Sequence, residues 1–327
     1  MNYRTERPFV AIRIKPIKRK DPLSTTKQMK DKTLSMKRIL IAGANSYIGD
    51  SFQAYLKLFP GVYDSKNLDT IDLTPAPEHF QGYDVVFCVA GIAHIKETAD
   101  NRDLYYKVNR DLVIEMAKCA KAAGVKQFIL LSTMAVYGKT SGHITKQTSP
   151  NPMTADAKSK YLADEAIFEL EDKDFYFSCL RLPMVYGRSC KGNYQTLRKV
   201  ALRFPIFPNY RNRRSMIYIG NLCEFVRNVI DEQKNGLFFP QNAEYVRTSE
   251  MVSLVAELNG RHIRLLRIFN WGISLCRILK IKIINKVFGD LTYERENTVD
   301  RFSFRESIEL TEKNITESDN KASIADT

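Results

Sequence analysis

The segment Gly43-Ala44-Asn45-Ser46-Tyr47-Ile48-Gly49 follows a short apolar run ending at Ala42 and precedes a helical pattern. In that context a glycine-rich turn lets backbone N–H groups approach a phosphate at the start of a helix. Two glycines alone fit an ordinary strand-to-helix turn equally well. An acidic residue at the end of the next strand would accept hydrogen bonds from an adenosine ribose. Asp72, or with less support Asp69, is placed for that, and its charge would repel a 2′-phosphate. Together these features point to a pyrophosphate-linked dinucleotide of the NAD type rather than NADP. Further along, Asp156 and Lys160 stand four residues apart on a helical pattern, the spacing of an ion pair on one helix face.

The elements that must position these residues can be read from apolar periodicity. Buried strands are expected over 38–42, 69–73, 85–90, 128–132 and 177–181, with helices over 48–58 and 112–123 between them. Alternating strand and helix predicts an α/β fold, a Rossmann-type doubly wound parallel sheet whose ligands bind at the carboxyl ends of the strands. The expected organisation is an NAD-binding core over 36–185, to which 216–240 returns. A smaller C-terminal substrate lobe would comprise 186–215 and 241–312. Residues 1–35 read as a basic disordered arm ahead of a natural-looking start at Met36, and 313–327 as a disordered polar tail.

The net charge of +13 over 327 residues raises the question of a nucleic-acid partner. Residues 1–35 carry ten Lys/Arg against three Asp/Glu, and residues 261–289 carry seven and none, which leaves the body near neutral. Charge concentrated in two segments is not the footprint of a protein that grips a phosphate backbone along one face, so no nucleic-acid partner is expected. The six cysteines form no C-x-x-C pair, no metal is implied, and they read as reduced buried thiols of a cytoplasmic protein. The N-terminus lacks the uninterrupted apolar core of a secretion signal.

Several ordered motifs from Met36 to about Thr311 resemble the extended short-chain dehydrogenase/reductase family, and within it the NAD-dependent nucleotide-sugar epimerase/dehydratase group that includes UDP-sugar 4-epimerases. In the family the first turn is Gly-x-x-Gly-x-x-Gly; Gly43 and Gly49 match, and Ser46 stands for the middle glycine. Val89-Ala90-Gly91 is similar to the segment lining the cofactor, Asn109 to the asparagine supporting the active site, and Thr133 to the hydroxyl that positions the substrate oxygen. Lys160 matches the lysine that holds the cofactor ribose. Pro183 and Val185, in Arg181-Leu182-Pro183-Met184-Val185-Tyr186-Gly187, match the stretch beside the nicotinamide. Asn193 and Arg214 fall where the substrate is held, Arg214 matching the arginine that contacts a nucleotide-sugar phosphate. The resemblance implies NAD as cofactor, a UDP-sugar as substrate, transient oxidation at sugar C4 and a homodimer; a lipid-linked sugar of surface-polysaccharide synthesis is expected as substrate if the basic segment 265–288 contacts a membrane.

One position departs from the pattern. The family carries its proton on the tyrosine of Tyr-x-x-x-Lys, and here Asp156 occupies the tyrosine's place. An aspartate, with an ordinary pKa of about 3.9 against about 10 for tyrosine, is a weak base and is rarely protonated to return a proton. Tyr161 points to another face of the helix; Tyr137 is a conceivable substitute. The alternatives are an enzyme with rerouted proton transfer and an inert NAD-binding protein with a structural or regulatory role. Met134 and Ala135 replace the acidic pair of the 4,6-dehydratases, which leaves 4-epimerisation or 4-keto-sugar reduction, and the carboxylate argument for NAD tilts toward the former. Finally, residues 265–288 combine large apolar side chains with five cations. They read either as a helical pair closing the substrate lobe or as a peripheral contact with an anionic membrane surface.

Overall fold

The structure is a computed structural model that describes residues 36–92, 97–279 and 281–313. The arm expected over 1–35 and the tail expected beyond 313 lie outside the described residues. Strand β1 (Lys37–Ala42) buries Ile39, Leu40, Ile41 and Ala42 on both of its faces, as a strand covered by helices on two sides must. It is followed by α1 (Tyr47–Leu56), β2 (Tyr63–Leu68), β3 (Val85–Cys88), α2 (Arg102–Tyr106), α3 (Val113–Ala122), β4 (Gln127–Thr133), β5 (Gly142–Ile144), α4 (Ala155–Phe168) and β6 (Tyr176–Leu182). Next come β7 (Met184–Tyr186), α5 (Asn193–Arg203), β8 (Ile206–Pro208), β9 (Met216–Tyr218), α6 (Ile219–Asp231) and β10 (Gly236–Phe238).

The central sheet runs β10-β6-β4-β3-β1-β2, every neighbouring pair parallel. Period-2 alternation divides its side chains between two cores. Ile39, Ile41, Phe87 and Ile129 pack with α1 and α6 on one face, while Leu40, Val86, Phe128 and Leu130 pack with α3 and α4 on the other. The register sets Ala42 beside Cys88, Cys88 beside Leu130 and Thr133 beside Leu182, so the carboxyl ends of β1, β3, β4 and β6 share one edge. From β1 the chain moves outward to β2 and then returns across to β3. The junction of β1 and β3 is therefore the switch point, where a doubly wound sheet opens its ligand crevice.

The second strand is not where apolar pattern puts it. Residues 69–73 form a turn, with Ile71 exposed and Asp72 in the left-handed region at φ 55, and the strand is the polar run Tyr63–Leu68. As an edge strand of half-buried and exposed residues, β2 needs no apolar signature.

Beyond the sheet, β11 (Gln241–Asn242), α7 (Thr248–Leu258), β12 (Arg264–Leu266), α8 (Asn270–Ile278), α9 (Lys282–Phe288), β13 (Leu291–Tyr293) and β14 (Thr298–Val299) complete the chain up to a helix over 304–313. The short strands pair as β7 with β9, β8 with β12, β5 with β13 and β11 with β14. Five of the six cysteines are buried and Cys276 is half-buried; all are free thiols.

Candidate active site

Gly43 has φ +120, and a Cβ there would stand 2.8 Å from the Ala90 backbone nitrogen and 2.9 Å from the Val89 side chain. A Cβ on Gly49 would meet Ser46 Oγ at 2.6 Å and Val89 at 3.1 Å. Both glycines are thus required by the close approach of the turn to the end of β3. The turn is further tied to β2, whose Leu68 carbonyl accepts from Gly43 and Ala44 N–H at 3.0 and 3.1 Å. The residue that needs left-handed backbone inside the turn is Asn45, at φ 60, whereas Ser46 is extended (φ −88, ψ 139). Serine in place of a middle glycine therefore costs no strain. Its Oγ accepts from Gly49 N–H at 3.2 Å and caps α1. Tyr47 and Ile48 open that helix. The Tyr47 hydroxyl is buried against Gly187, with no hydrogen-bond partner among the described residues, and burial pushes its pKa up.

The acidic residue next to this cradle is Asp69, directly after Leu68, with Oδ1 accepting from Ile71 N–H at 3.0 Å. Asp72 lies three residues on, exposed in the turn, which corrects its expected place at the end of the second strand.

Across the switch point, Asn109 is 2 % exposed and sits in a π-helical segment, Lys107–Leu112, continuous with α2 and α3. Its Oδ1 accepts from Ile92 N–H at 2.8 Å; its Nδ2 donates to Ile92 O and to Asp156 Oδ1, both at 3.1 Å. Lys160 reaches the same place from α4: a Cβ on Gly91 would lie 3.1 Å from Asn109 Oδ1 and 3.4 Å from Lys160 Nζ. Gly91, Asn109, Asp156 and Lys160 are thus brought together at the mouth of β3. The Asp156–Lys160 ion pair expected from spacing is not among the ion pairs of the described residues. Asp156 turns to Asn109 instead and, in the first turn of α4, a carboxylate is favoured by the helix N-terminus.

Thr133 ends β4 and its Oγ1 accepts from Ala135 N–H at 3.2 Å, capping a single turn over Met134–Tyr137. That turn directs Tyr137 inward. The ring, 2 % exposed, stands edge-on to Phe239 and Tyr293, and its hydroxyl accepts from Arg181 Nη1 at 2.8 Å. Burial raises its pKa against the pull of Arg181. Tyr137 is thus turned into the core, with its hydroxyl held by Arg181. Tyr161 donates to Glu165, and that bond together with burial pushes it up to about 12.

Behind the site runs a buried network that motif reading passed over. Asp164 Oδ2 accepts from Ser132 Oγ at 2.8 Å and from Arg181 Nε at 3.1 Å, in a pair that is almost wholly buried. Complete burial raises the Asp164 carboxyl, and the neighbouring carboxylate keeps Arg181 charged. The available signal was Arg181 between Leu180 and Leu182, a cation in an otherwise apolar strand.

The remaining expected contacts follow β6 in the chain. Pro183 is buried and Val185 half-buried in β7, paired with Ile217. Asn193 is exposed at the first position of α5. Arg214 is half-buried, donates Nη1 to Gly289 O at 3.0 Å, and has its pKa lowered by burial.

Residues 39–238 match the model of the NAD dependent epimerase/dehydratase family. Over 209 residues the chain is 26% identical to an N-acetyl-alpha-D-glucosaminyl-diphospho-ditrans,octacis-undecaprenol 4-epimerase of Escherichia coli O157:H7, covering 58% of this chain and 62% of that protein. Over 234 residues it is 28% identical to a UDP-glucose 4-epimerase of Vibrio cholerae, covering 68% and 71%. The chain thus spans only about three fifths of the length of the first of these curated relatives. Among solved structures, the UDP-glucuronic acid 4-epimerase of Bacillus cereus in complex with NAD superposes with a TM-score of 0.66 at 17% identity, over 86% of this chain and 99% of that one. At that identity the likeness is one of fold.

Proposed function

The chain belongs to the NAD dependent epimerase/dehydratase family, and on that premise we propose that it holds NAD over the Gly43–Gly49 turn together with a sugar on a diphosphate carrier, its redox chemistry at sugar C4 stalled at proton transfer by Asp156. NAD is the cofactor of this family, and when bound it supplies a hydride acceptor. The residues present fit such a group: the turn that opens α1 and the end of β3 approach so closely that only glycine fits, which leaves backbone rather than side chains at the start of the helix. Thr133 would hold the reacting sugar hydroxyl, Lys160 and Asn109 the cofactor side of the site, and Arg214 with Asn193 the carrier.

The carrier is named by the chemistry that the two curated relatives share. One is described as acting on a nucleotide sugar and the other on a polyprenyl diphosphate sugar; both descriptions specify a 4-epimerase. A diphosphate suits the guanidinium of Arg214 in either case.

The observation that carries the reading is the Asp156–Asn109 bond. Asp156 accepts the Asn109 amide where the family pattern has a hydroxyl as proton carrier, and the hydroxyls of Tyr137 and Tyr161 are engaged elsewhere. The test compares the purified protein with Asp156→Tyr. Bound-cofactor absorbance would be followed during addition of UDP-sugars in one arm and polyprenyl diphosphate sugars in the other. The parent should retain NAD without turnover, and Asp156→Tyr should turn over in the arm that holds the true carrier. A parent as active as its variant, or a variant that binds NAD and both carriers yet stays inert, would overturn the proposal.

A further inference from the structure

Helix α8 presents its apolar side to solvent. Trp271, Leu275 and Ile278, at i, i+4 and i+7, are 74%, 48% and 76% exposed, whereas Ile273 on the opposite side is buried. Leu279 and Ile268 extend the same surface at 65% and 71% exposure. Phe204 and Ile206 are exposed as well, on and before β8, whose partner β12 leads into α8. A groove of about 480 Å³ opens within the patch, lined by Pro208, Ile268, Phe269, Trp271, Cys276 and Phe288. A contiguous apolar face of this kind marks an interaction site rather than ordinary surface.

The charge around it selects the occupant. Between 261 and 289 the sequence has seven Lys/Arg and no Asp/Glu, and Arg261, Arg264, Arg267 and Lys286 are exposed. A second copy of the chain docking through this face in a two-fold dimer would set one all-cationic segment against another. Among the described residues no helix is long and apolar enough to cross a membrane, and a short amphipathic helix with tryptophan on its apolar side and exposed cations flanking it, Arg267 before and Lys286 after, is suited to lie in a lipid interface. We propose that α8 together with Leu279 docks the protein on an anionic bilayer surface, Trp271 and Ile278 entering the acyl boundary and Arg261, Arg264 and Arg267 facing the headgroups. This surface stands apart from the cofactor site and does not depend on what Asp156 does. It adjoins the carrier side, since Arg214 is bonded to Gly289 at the end of α9.

Trp271 is the single tryptophan of the chain, so its fluorescence reports on this surface alone. The chain of 327 residues would be mixed with vesicles of phosphatidylcholine and with vesicles of phosphatidylcholine plus phosphatidylglycerol, and followed by flotation and by Trp271 emission. The expected result is flotation with the anionic vesicles only, a blue-shifted Trp271 shielded from a water-soluble quencher, and weaker binding at high salt. Ile278→Glu/Leu279→Glu, which alters exposed positions alone, should weaken binding by about tenfold or more. The proposal is overturned by absence of flotation with anionic vesicles. Flotation with unchanged Trp271 emission, which would assign binding to another basic segment, also overturns it. So does a lipid-free oligomer in which Trp271 is already shielded and which the double variant disperses.

Discussion

Asn109 donates its side-chain amide to Asp156 across 3.1 Å while bracketing the backbone N–H and carbonyl of Ile92. One buried amide thus ties the departure from the family pattern to the segment after β3. Asn109→Ala should lower unfolding free energy by about 1–3 kcal/mol, the cost of stranding buried polar groups, and should release bound NAD. Denaturant titration and cofactor content after gel filtration check both.

Gly43→Ala meets two obstacles, a left-handed φ of +120 and a contact of 2.8 Å with Ala90 N. Gly142→Ala shares the first, at φ +116, but has nothing within 4 Å. Both should lose about 1–3 kcal/mol of stability through strain, while only Gly43→Ala should lose NAD binding in calorimetry. Equal NAD affinity in the two variants would count against the cradle.

For the ribose, the position of β2 favours Asp69. Asp69→Ala should weaken NAD by about tenfold, the loss of roughly one charge-assisted bond, and Asp72→Ala should leave the dissociation constant unchanged. The reverse order would restore the reading from apolar pattern.

Glu224 of α6 ties α1 to its neighbour on the same face of the sheet: it accepts from the Tyr55 hydroxyl of α1, from Arg227 at 2.9 Å and from Arg301 at 3.1 Å. Burial pushes its pKa up, but Arg227, Tyr55 and Arg301 together outweigh this and hold it below the ordinary 4.5. A carboxyl lowered by folding stabilises the fold above its unfolded value, and that stability is lost as pH falls through the folded value. Glu224→Gln should therefore be less stable than the parent by about 1–3 kcal/mol at neutral pH, and the gap should close below pH 4.5 in paired thermal melts.

How much of this was legible in sequence depended on whether chemistry or packing chose the residue. Gly43 and Gly49 could be read because few residue types tolerate a close backbone approach, whereas Thr133 and Lys160 were expected only from the resemblance. The edge strand over 63–68 was missed because one-sided exposure removes the apolar signal on which strand reading rests, and Ile71 and Leu73 supplied a false one. The ion pair of Asp156 and Lys160 failed for a different reason. Helical spacing fixes which side chains are neighbours, but Gly91 and Asn109, distant in sequence, offered each of them another place. Tyr137 could not be assigned from sequence, because its inward direction is set by the turn that Thr133 caps.

The π-helical segment over Lys107–Leu112 contains one residue more than an α-helix of the same rise. Deleting a single residue upstream of Asn109 within it would heal the helix and could even make it locally more regular. It would also rotate the elements on either side by about 100° relative to one another, carrying the amide away from Ile92 and Asp156. The irregularity thus acts as a phase setting: here a length change of one residue, rather than any side-chain substitution, would be the most economical way to disconnect the two halves of the crevice while leaving the sheet and both cores in place.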